Sequence, residues 1–275
     1  MNSFEIYNET EDNLQAIYRS RLLTEILLSL NESNRKLSQL REITGSTSQA
    51  IIPKLRKLEE DHLIEIKERE YYLTPIGKIV ASGVADSFAT FGTINKFKYF
   101  WSMHYMEGIP TPLLKEIGCL YNSKILHDRR TKILNVYTNQ LKTIKEAEHI
   151  YGISSVITEG YADSISEKVK EGVPVELIVP LHVAEELKQS PYAEKLEILK
   201  SYNNFQLRYK NEDLKMGLIV TDKCLALSLY KKGAIEYDVT TGLFSSDQKA
   251  IEWGERLFGY YKIHSEVKLH DNYAL

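Results

Sequence analysis

The order of signals between residues 35 and 77 constrains this chain most: helix, turn, helix, hairpin and helix cues follow one another in register. Leu37, Leu40 and Ile43 lie three apart, which predicts one face of a two-turn helix. Thr44-Gly45 supplies the turn, because glycine enters the left-handed conformation that ends such helices. Ser46, Thr47 or Ser48 can cap the next helix, which directs Ile51, Ile52, Leu55 and Leu58 inward. Pro53 falls just past its first turn and predicts some distortion there. Residues 63–67 and 71–73 read as two short strands around the charged turn Glu68-Arg69-Glu70, and Thr74-Pro75 opens a further helix. With one amphipathic helix upstream, spanning Leu14 to Leu30, the order is that of a winged helix-turn-helix.

Beyond this segment the patterning changes. Residues 76–105 are helix-compatible, with a break expected near Gly92-Thr93; Gly108-Ile109-Pro110 marks a turn, and Thr111-Pro112 opens a short helix. Strands are expected at 132–137, 154–158 and 173–180, alternating with helices around 139–151 and 162–171, which suggests βαβ units and parallel pairing. Segments 205–209, 218–221 and 225–230 follow closely and read as an antiparallel continuation before a final helix at 246–261. The expected class is a multi-domain α+β and α/β chain. It comprises a winged helix-turn-helix (1–90), a helical linker (91–125) and an α/β domain with a mixed sheet (126–275).

A formal net charge of −3 argues against a protein that coats nucleic acid by bulk electrostatics, so local distribution decides. Between residues 35 and 57 the cations are Arg35, Lys36, Arg41, Lys54, Arg56 and Lys57, opposed only by Glu42. Because a recognition helix presents its N-terminal residues to the major groove, Ser46, Thr47, Ser48, Gln49 and Lys54 are candidates for base-edge or phosphate contact. Gln49 suits adenine, and Lys54 suits guanine or phosphate. Arg35, Lys36, Arg56 and Lys57 would add backbone contacts, with Lys67 and Arg69 reaching out from the wing. The plainer account is a solvated basic face.

Other chemistries find little support. Cys119 and Cys224 lie far apart, without a CxxC or a Cys/His cluster, so neither a metal site nor a disulfide framework is expected. No apolar run approaches the roughly 18 residues of a membrane span, and the acidic start lacks the pattern of a signal peptide, which favours the cytoplasm. No HxH, HExxH, HxK, GxSxG, Walker or GxGxxG pattern occurs, so no catalytic residue and no cofactor is expected. Trp101 with His104, and Glu159 with Tyr161 at a strand end, are candidates for an effector site. Alternatively, His104 is a structural histidine at a helix end. Trp253 reads as core or interface, and Asp238 as a cap or turn residue.

The stretch from Leu37-Ser38-Gln39-Leu40-Arg41 to Leu73-Thr74-Pro75-Ile76-Gly77 resembles archaeal winged-helix regulators of the broad ArsR/MarR-like type. Four further segments are similar to the methanogenesis-regulatory middle domain that accompanies such regulators in methanogens. They are Trp101-Ser102-Met103-His104 with Gly108-Ile109-Pro110, Leu113 to Gly118, Gly172 to Glu176, and Ser245 to Gly254. The resemblance implies an archaeal transcription regulator and supplies no ligand. The expectation is a homodimer that binds double-stranded DNA and carries a small-molecule effector site. The alternative is an interaction adaptor that keeps the winged helix without using it on DNA.

Overall fold

The computed structural model describes residues 2–233 and 237–265. The chain divides into two compact units, Met1–Phe88 and Ala89–Leu275.

In the first unit, α1 (Ser3–Arg19) and α2 (Arg21–Glu32) stand where one helix was expected. Ser20 makes the break: its backbone is extended and its hydroxyl accepts from the Leu23 amide, capping α2. The side chain of Leu14 lies outside the described residues. Then follow β1 (Arg35–Lys36), α3 (Leu37–Thr44), α4 (Ser48–Glu60), β2 (Ile64–Lys67), β3 (Glu70–Leu73) and α5 (Pro75–Lys96). Gly45 ends α3 at φ +63°, and the Thr47 hydroxyl caps α4 by accepting from the Ala50 amide at 3.4 Å. Pro53 does not interrupt α4, which continues to Glu60 with the proline ring on its exposed side.

The core of this unit gathers Ile26 and Leu27 from α2, Leu40 from α3, and Ile51, Leu55 and Leu58 from α4. Ile43, expected to face inward, is exposed; Thr44 is buried instead, its hydroxyl donating to the Leu40 carbonyl at 2.7 Å. A 3.6-residue period carries position i+4, not i+3, back beneath Leu40. The wing also differs from expectation. It has three strands in the order β1-β3-β2, because Arg35 and Lys36 pair with Tyr71 and Glu70. Its tip is a two-residue turn, Glu68-Arg69, with both φ angles positive, the geometry that matches the twist of a hairpin.

In the second unit, α5 passes Gly92-Thr93 unbroken, and the interruption falls at Phe97, before α6 (Lys98–Met103). After α7 (Thr111–Lys115) and a 3-10 turn (Ile117–Leu120) come β4 (Lys124–His127), α8 (Asn135–Lys145), β5 (Ile150–Ile153), α9 (Glu159–Lys170) and β6 (Val175–Pro180). Next are α10 (Leu181–Leu187), α11 (Ala193–Lys200), β7 (Phe205–Lys210), β8 (Met216–Thr221), β9 (Leu225–Leu229), β10 (Thr241–Ser245) and α12 (Gln248–Ile263). Among the described residues the sheet has seven strands in the order β4-β10-β9-β8-β5-β6-β7.

Three expectations are corrected here. Residues 132–137 form no strand: the Asp128 carboxylate accepts from the Leu134 and Val136 amides, both at 3.0 Å, and starts α8 there. The strand expected at 154–158 lies earlier, at β5, because Ser154 turns the chain through a hydrogen bond to the Val156 carbonyl and Thr158 caps α9. β7 is parallel to β6, not antiparallel, and α10 with α11 form the long crossover such pairing requires. The antiparallel β8 adds to β5 on the opposite side of the parallel strands.

Strand alternation gives the sheet two buried faces. Leu218, Val220, Leu225 and Leu227 pack with Trp253 and Leu257 of α12. On the other face, Ile150, Val175, Val179, Phe205 and Leu207 pack with Ile144, Ile165, Val183 and Leu196 of the helices α8 to α11.

Candidate functional site

On α4, Ile51, Leu55 and Leu58 fix which side is inward, and the row Gln49, Pro53, Arg56 stands exposed opposite them. Lys54 is half-buried at the flank, with Lys57 exposed on the other side. The expected DNA contacts separate by what each side chain already binds. The Arg35 guanidinium donates to the Ser29 hydroxyl at 3.2 Å and to Glu32 at 3.1 Å, and is largely covered. Lys36 lies 3.7 Å from Glu70, Lys57 donates to Asp61 at 2.9 Å, and Lys67 pairs with Glu65 at 2.5 Å. The hydrogen bond to Asp61 raises the Lys57 ammonium above its ordinary value.

Lys54, Arg56 and Arg69 make no ion pair among the described residues, so their charge is fully available to an anion. Exposed pairs such as Lys57–Asp61 are worth little and exchange readily for a phosphate, whereas covered Arg35 is committed to its own fold. The Ser46 hydroxyl donates to the Thr44 carbonyl and Thr47 caps α4, which leaves Ser48 and Gln49 as the helix-start side chains without a role in that turn.

The second unit holds a cavity of about 170 Å³ between the sheet and α8 to α11. Its walls are mostly aliphatic: Ile153, Ile165, Leu177, Val179, Val183, Leu196 and Leu207 among them. The floor includes two strand glycines, Gly152 and Gly217. A Cβ on Gly152 would come within 2.6 Å of the Leu177 side chain, and one on Gly217 would run into the Tyr237 phenol.

A buried polar cluster lies at one side. Tyr161 donates to the Gln140 carboxamide oxygen, and the Gln140 amide reaches the Ser228 hydroxyl at 3.4 Å. Tyr137 and Thr158 share a 3.2 Å hydrogen bond, and the Tyr137 ring meets Tyr161 edge to face at 4.9 Å. Burial pushes the Tyr161 and Tyr237 phenols above their ordinary range, so both stay protonated. Lys195 borders the cavity and is ion-paired with Asp163.

Of the expected effector residues, Tyr161 lines this cavity. Glu159, in the first turn of α9, does not, and neither Trp101 nor His104 reaches it. Both of those side chains are core: the Trp101 indole donates to the Thr93 carbonyl, and His104 is held between the Phe100 carbonyl at 2.7 Å and Asp238 at 3.0 Å. Left to itself, burial would raise the Asp238 carboxyl. Hydrogen bonds from His104 and from the Thr240 hydroxyl and amide outweigh that, and hold it far below the usual carboxylate range. Trp253 is fully buried and donates to the Leu113 carbonyl at 2.9 Å. Sequence reasoning missed Tyr137, Gln140 and Tyr237. The isolated glycines in β5 and β8 were the available signal, since a strand glycine often marks a close approach.

Residues 11–90 match the N-terminal domain, and residues 133–263 the middle domain, of the family described as methanogenesis regulatory protein FilR1. The methanogenesis regulatory protein FilR1 of Methanothrix harundinacea (strain 6Ac) is 26% identical over 245 residues, covering 88% of this chain. The chain spans about half the length of that relative, 55%. Among solved structures, TrmBL2, an archaeal chromatin protein, gives a TM-score of 0.43 at 14% identity over 94% of this chain and 99% of its own. Nuc, a phospholipase D family member from Salmonella typhimurium, gives 0.41 at 11% identity over 54% of this chain and 98% of its own. At such scores neither likeness carries an argument.

Proposed function

The chain belongs to the FilR1 family of methanogenesis regulatory proteins, whose N-terminal and middle domains it carries, and on that premise we propose that it is a sequence-specific, dimeric DNA-binding transcription regulator whose second unit senses an effector. One observation carries the DNA reading: Gln49 and Arg56 stand in an exposed row on α4, and Lys54, Arg56 and Arg69 have no acidic partner among the described residues. Phosphate contacts from these cations supply affinity, and Gln49 supplies base readout.

Replacing both Lys54 and Arg56 by alanine should weaken DNA binding about tenfold or more at moderate salt. It should also flatten the slope of log K against log salt by roughly two, about one per lost phosphate contact. The melting temperature should stay nearly constant, since neither side chain has an ion-pair partner to lose. Fluorescence anisotropy across a salt series, with genomic fragments, measures both quantities. A full-strength, equally salt-dependent complex from the double variant would show that α4 is not the recognition helix. A wild-type chain without sequence preference or salt dependence would favour the adaptor reading.

Dimerisation is proposed because one winged helix covers little DNA and paired half-sites add both affinity and specificity. Apolar side chains on α5 support it: Ile76, Ile79 and Phe91 are at least 60% exposed. Ile79→Glu combined with Phe91→Glu should give a monomer by light scattering and a loss of tight operator binding. An unchanged dimer mass would move the interface away from α5.

The second unit reads as a binding module rather than a catalyst. Among the described residues its cavity is lined mostly by aliphatic groups, and burial holds the Tyr161 and Tyr237 phenols protonated, which favours holding a ligand over moving a proton. Any effector must bind the DNA-competent and incompetent states unequally, or it regulates nothing. Among the described residues, no helix is long and apolar enough to cross a membrane, and no group of three metal-ligating side chains is present.

A further inference from the structure

We infer that the cavity beneath α8 to α11 binds a compact, uncharged, mainly apolar molecule, with one polar atom joining the Tyr161–Gln140 cluster. The inference rests on the sensing role proposed for the second unit and gives that role a location and a ligand class.

Size is the first argument. Protein interiors leave few voids larger than a water molecule, yet this one is about 170 Å³, and an apolar cavity of roughly 150 Å³ takes up benzene. The space is written into the sequence. The sheet face below it carries large residues on β6 and β7, such as Leu177, Val179 and Leu207, but glycine at Gly152 of β5 and Gly217 of β8. Gly152 pairs with Ile219, so Gly217 lies two residues along the neighbouring strand on the same face, and the Leu177 side chain and the Tyr237 phenol lean over the two glycines as part of the cavity wall.

Charge is the second. The interior offers a carboxylate no cation: Lys195 is at the border, already held by Asp163, with the Glu159 charge also acting on it. Among the described residues it offers an ammonium group no anion either, since no Asp or Glu of theirs lines the cavity. An ion entering would lose its hydration without compensation.

The polar cluster is the third. The hydrogen bond from Gln140 to Ser228 is long, at 3.4 Å, and the Tyr237 phenol reaches both partners, so a ligand hydroxyl or carbonyl entering beside Gln140 meets a cluster of neutral donors and acceptors. Gln140 is buried, and its position is fixed by the Tyr161 phenol. A single polar atom is therefore recognised at a defined place while the rest of the ligand contacts aliphatic walls.

The test uses the full chain without DNA, with p-cresol as an uncharged probe and benzoate as a charged one of similar size. Isothermal titration calorimetry should show saturable p-cresol binding in the submillimolar to millimolar range, and benzoate binding at least tenfold weaker. Val183→Phe, which fills the cavity from α10, should abolish the p-cresol heat, and Ala162→Met, which fills it from α9, should weaken it. Gln140→Leu should weaken p-cresol at least tenfold while leaving toluene, added as a third probe, bound as in the wild type.

No p-cresol binding, binding unchanged in both filling variants, or benzoate binding as tightly as p-cresol would each overturn the inference. DNA affinity of the ligand-free chain is measured separately, so a failed cavity leaves the DNA reading standing. Failed DNA binding likewise leaves the calorimetric result intact.

Discussion

Gly77→Ala should collapse the first unit's packing, lowering its melting temperature by roughly 12–24 °C, while Gly83→Ala in the same helix should leave it unchanged or slightly raised. A Cβ on Gly77 would overlap the Leu63 carbonyl oxygen outright and lie 2.8 Å from its carbon, whereas one on Gly83 meets nothing within 4 Å. The obstacle is backbone and cannot rotate away. Leu63 is tied on two sides: its amide donates to the Leu58 carbonyl at 2.8 Å, and its carbonyl accepts from the Thr74 amide at 3.0 Å. Making room therefore drags the end of α4 or the base of the hairpin. Overpacking costs about 1–3 kcal/mol in cores that can adjust, and a clash with pinned backbone belongs at the upper end, near 3 kcal/mol.

A domain of this size has roughly 4–13 kcal/mol in total, so DNA binding should fail with it. Calorimetric melting of the full chain checks both variants. Equal melting of Gly77→Ala and wild type would mean that α5 does not approach the hairpin this closely.

The same residues show why the first unit was so readable. Thr74 accepts from the Gly77 amide at 3.0 Å, its hydroxyl reaches the His62 carbonyl at 2.7 Å, and Pro75 begins the helix. Thr47 and Gly45 act within a few residues in the same way. Such chemistry is local, and sequence spacing reports it directly. The cations were harder: counting them cannot show that Arg35 turns inward to Ser29 while Arg56 stays unpaired.

In the second unit the decisive contacts are distant. Asp128 starts α8 from outside the helix, and that moved a strand-like apolar run into a turn. The direction of β7 depends on what α10 and α11 do, not on the alternation within β7 itself. The cavity joins residues from α8, α9, β8 and position 237, which no periodicity in one segment can bring together. The high tyrosine count, 18 residues, was a clue without an address.

His104 shows how far such a contact can reach, and removing it should be the most costly single change in the second unit. Its two ring nitrogens face the Phe100 carbonyl at 2.7 Å and the Asp238 carboxylate at 3.0 Å, so the ring is tied from both sides and is a buried hydrogen-bond partner of Asp238. The two side chains are almost fully buried, at 4% and 7% exposure. His104→Leu leaves that buried carboxylate without its imidazole donor, at a cost of about 3 kcal/mol. Adding Asp238→Asn should recover much of the loss, because an amide oxygen can still accept from Thr240 and carries no charge.

The pH dependence separates this from simple loss of packing. A carboxyl whose folded value is depressed contributes stability that is fully present above its unfolded value, near 3.9, and is lost as pH falls through the folded one. The wild type should therefore weaken at the acid end. In His104→Leu the unpaired carboxyl prefers its proton, so the variant gains relative to wild type as pH falls from 7 toward 4. Thermal melts of the two proteins across that range should converge. A constant gap would mean that the hydrogen bond to Asp238 contributes nothing and that His104 matters only as volume. Because Asp238 adjoins Tyr237, whose phenol covers Gly217, the same variant should also loosen the floor of the cavity. Weaker p-cresol binding at neutral pH, recovered in the double variant, would tie the buried pair to the proposed ligand site.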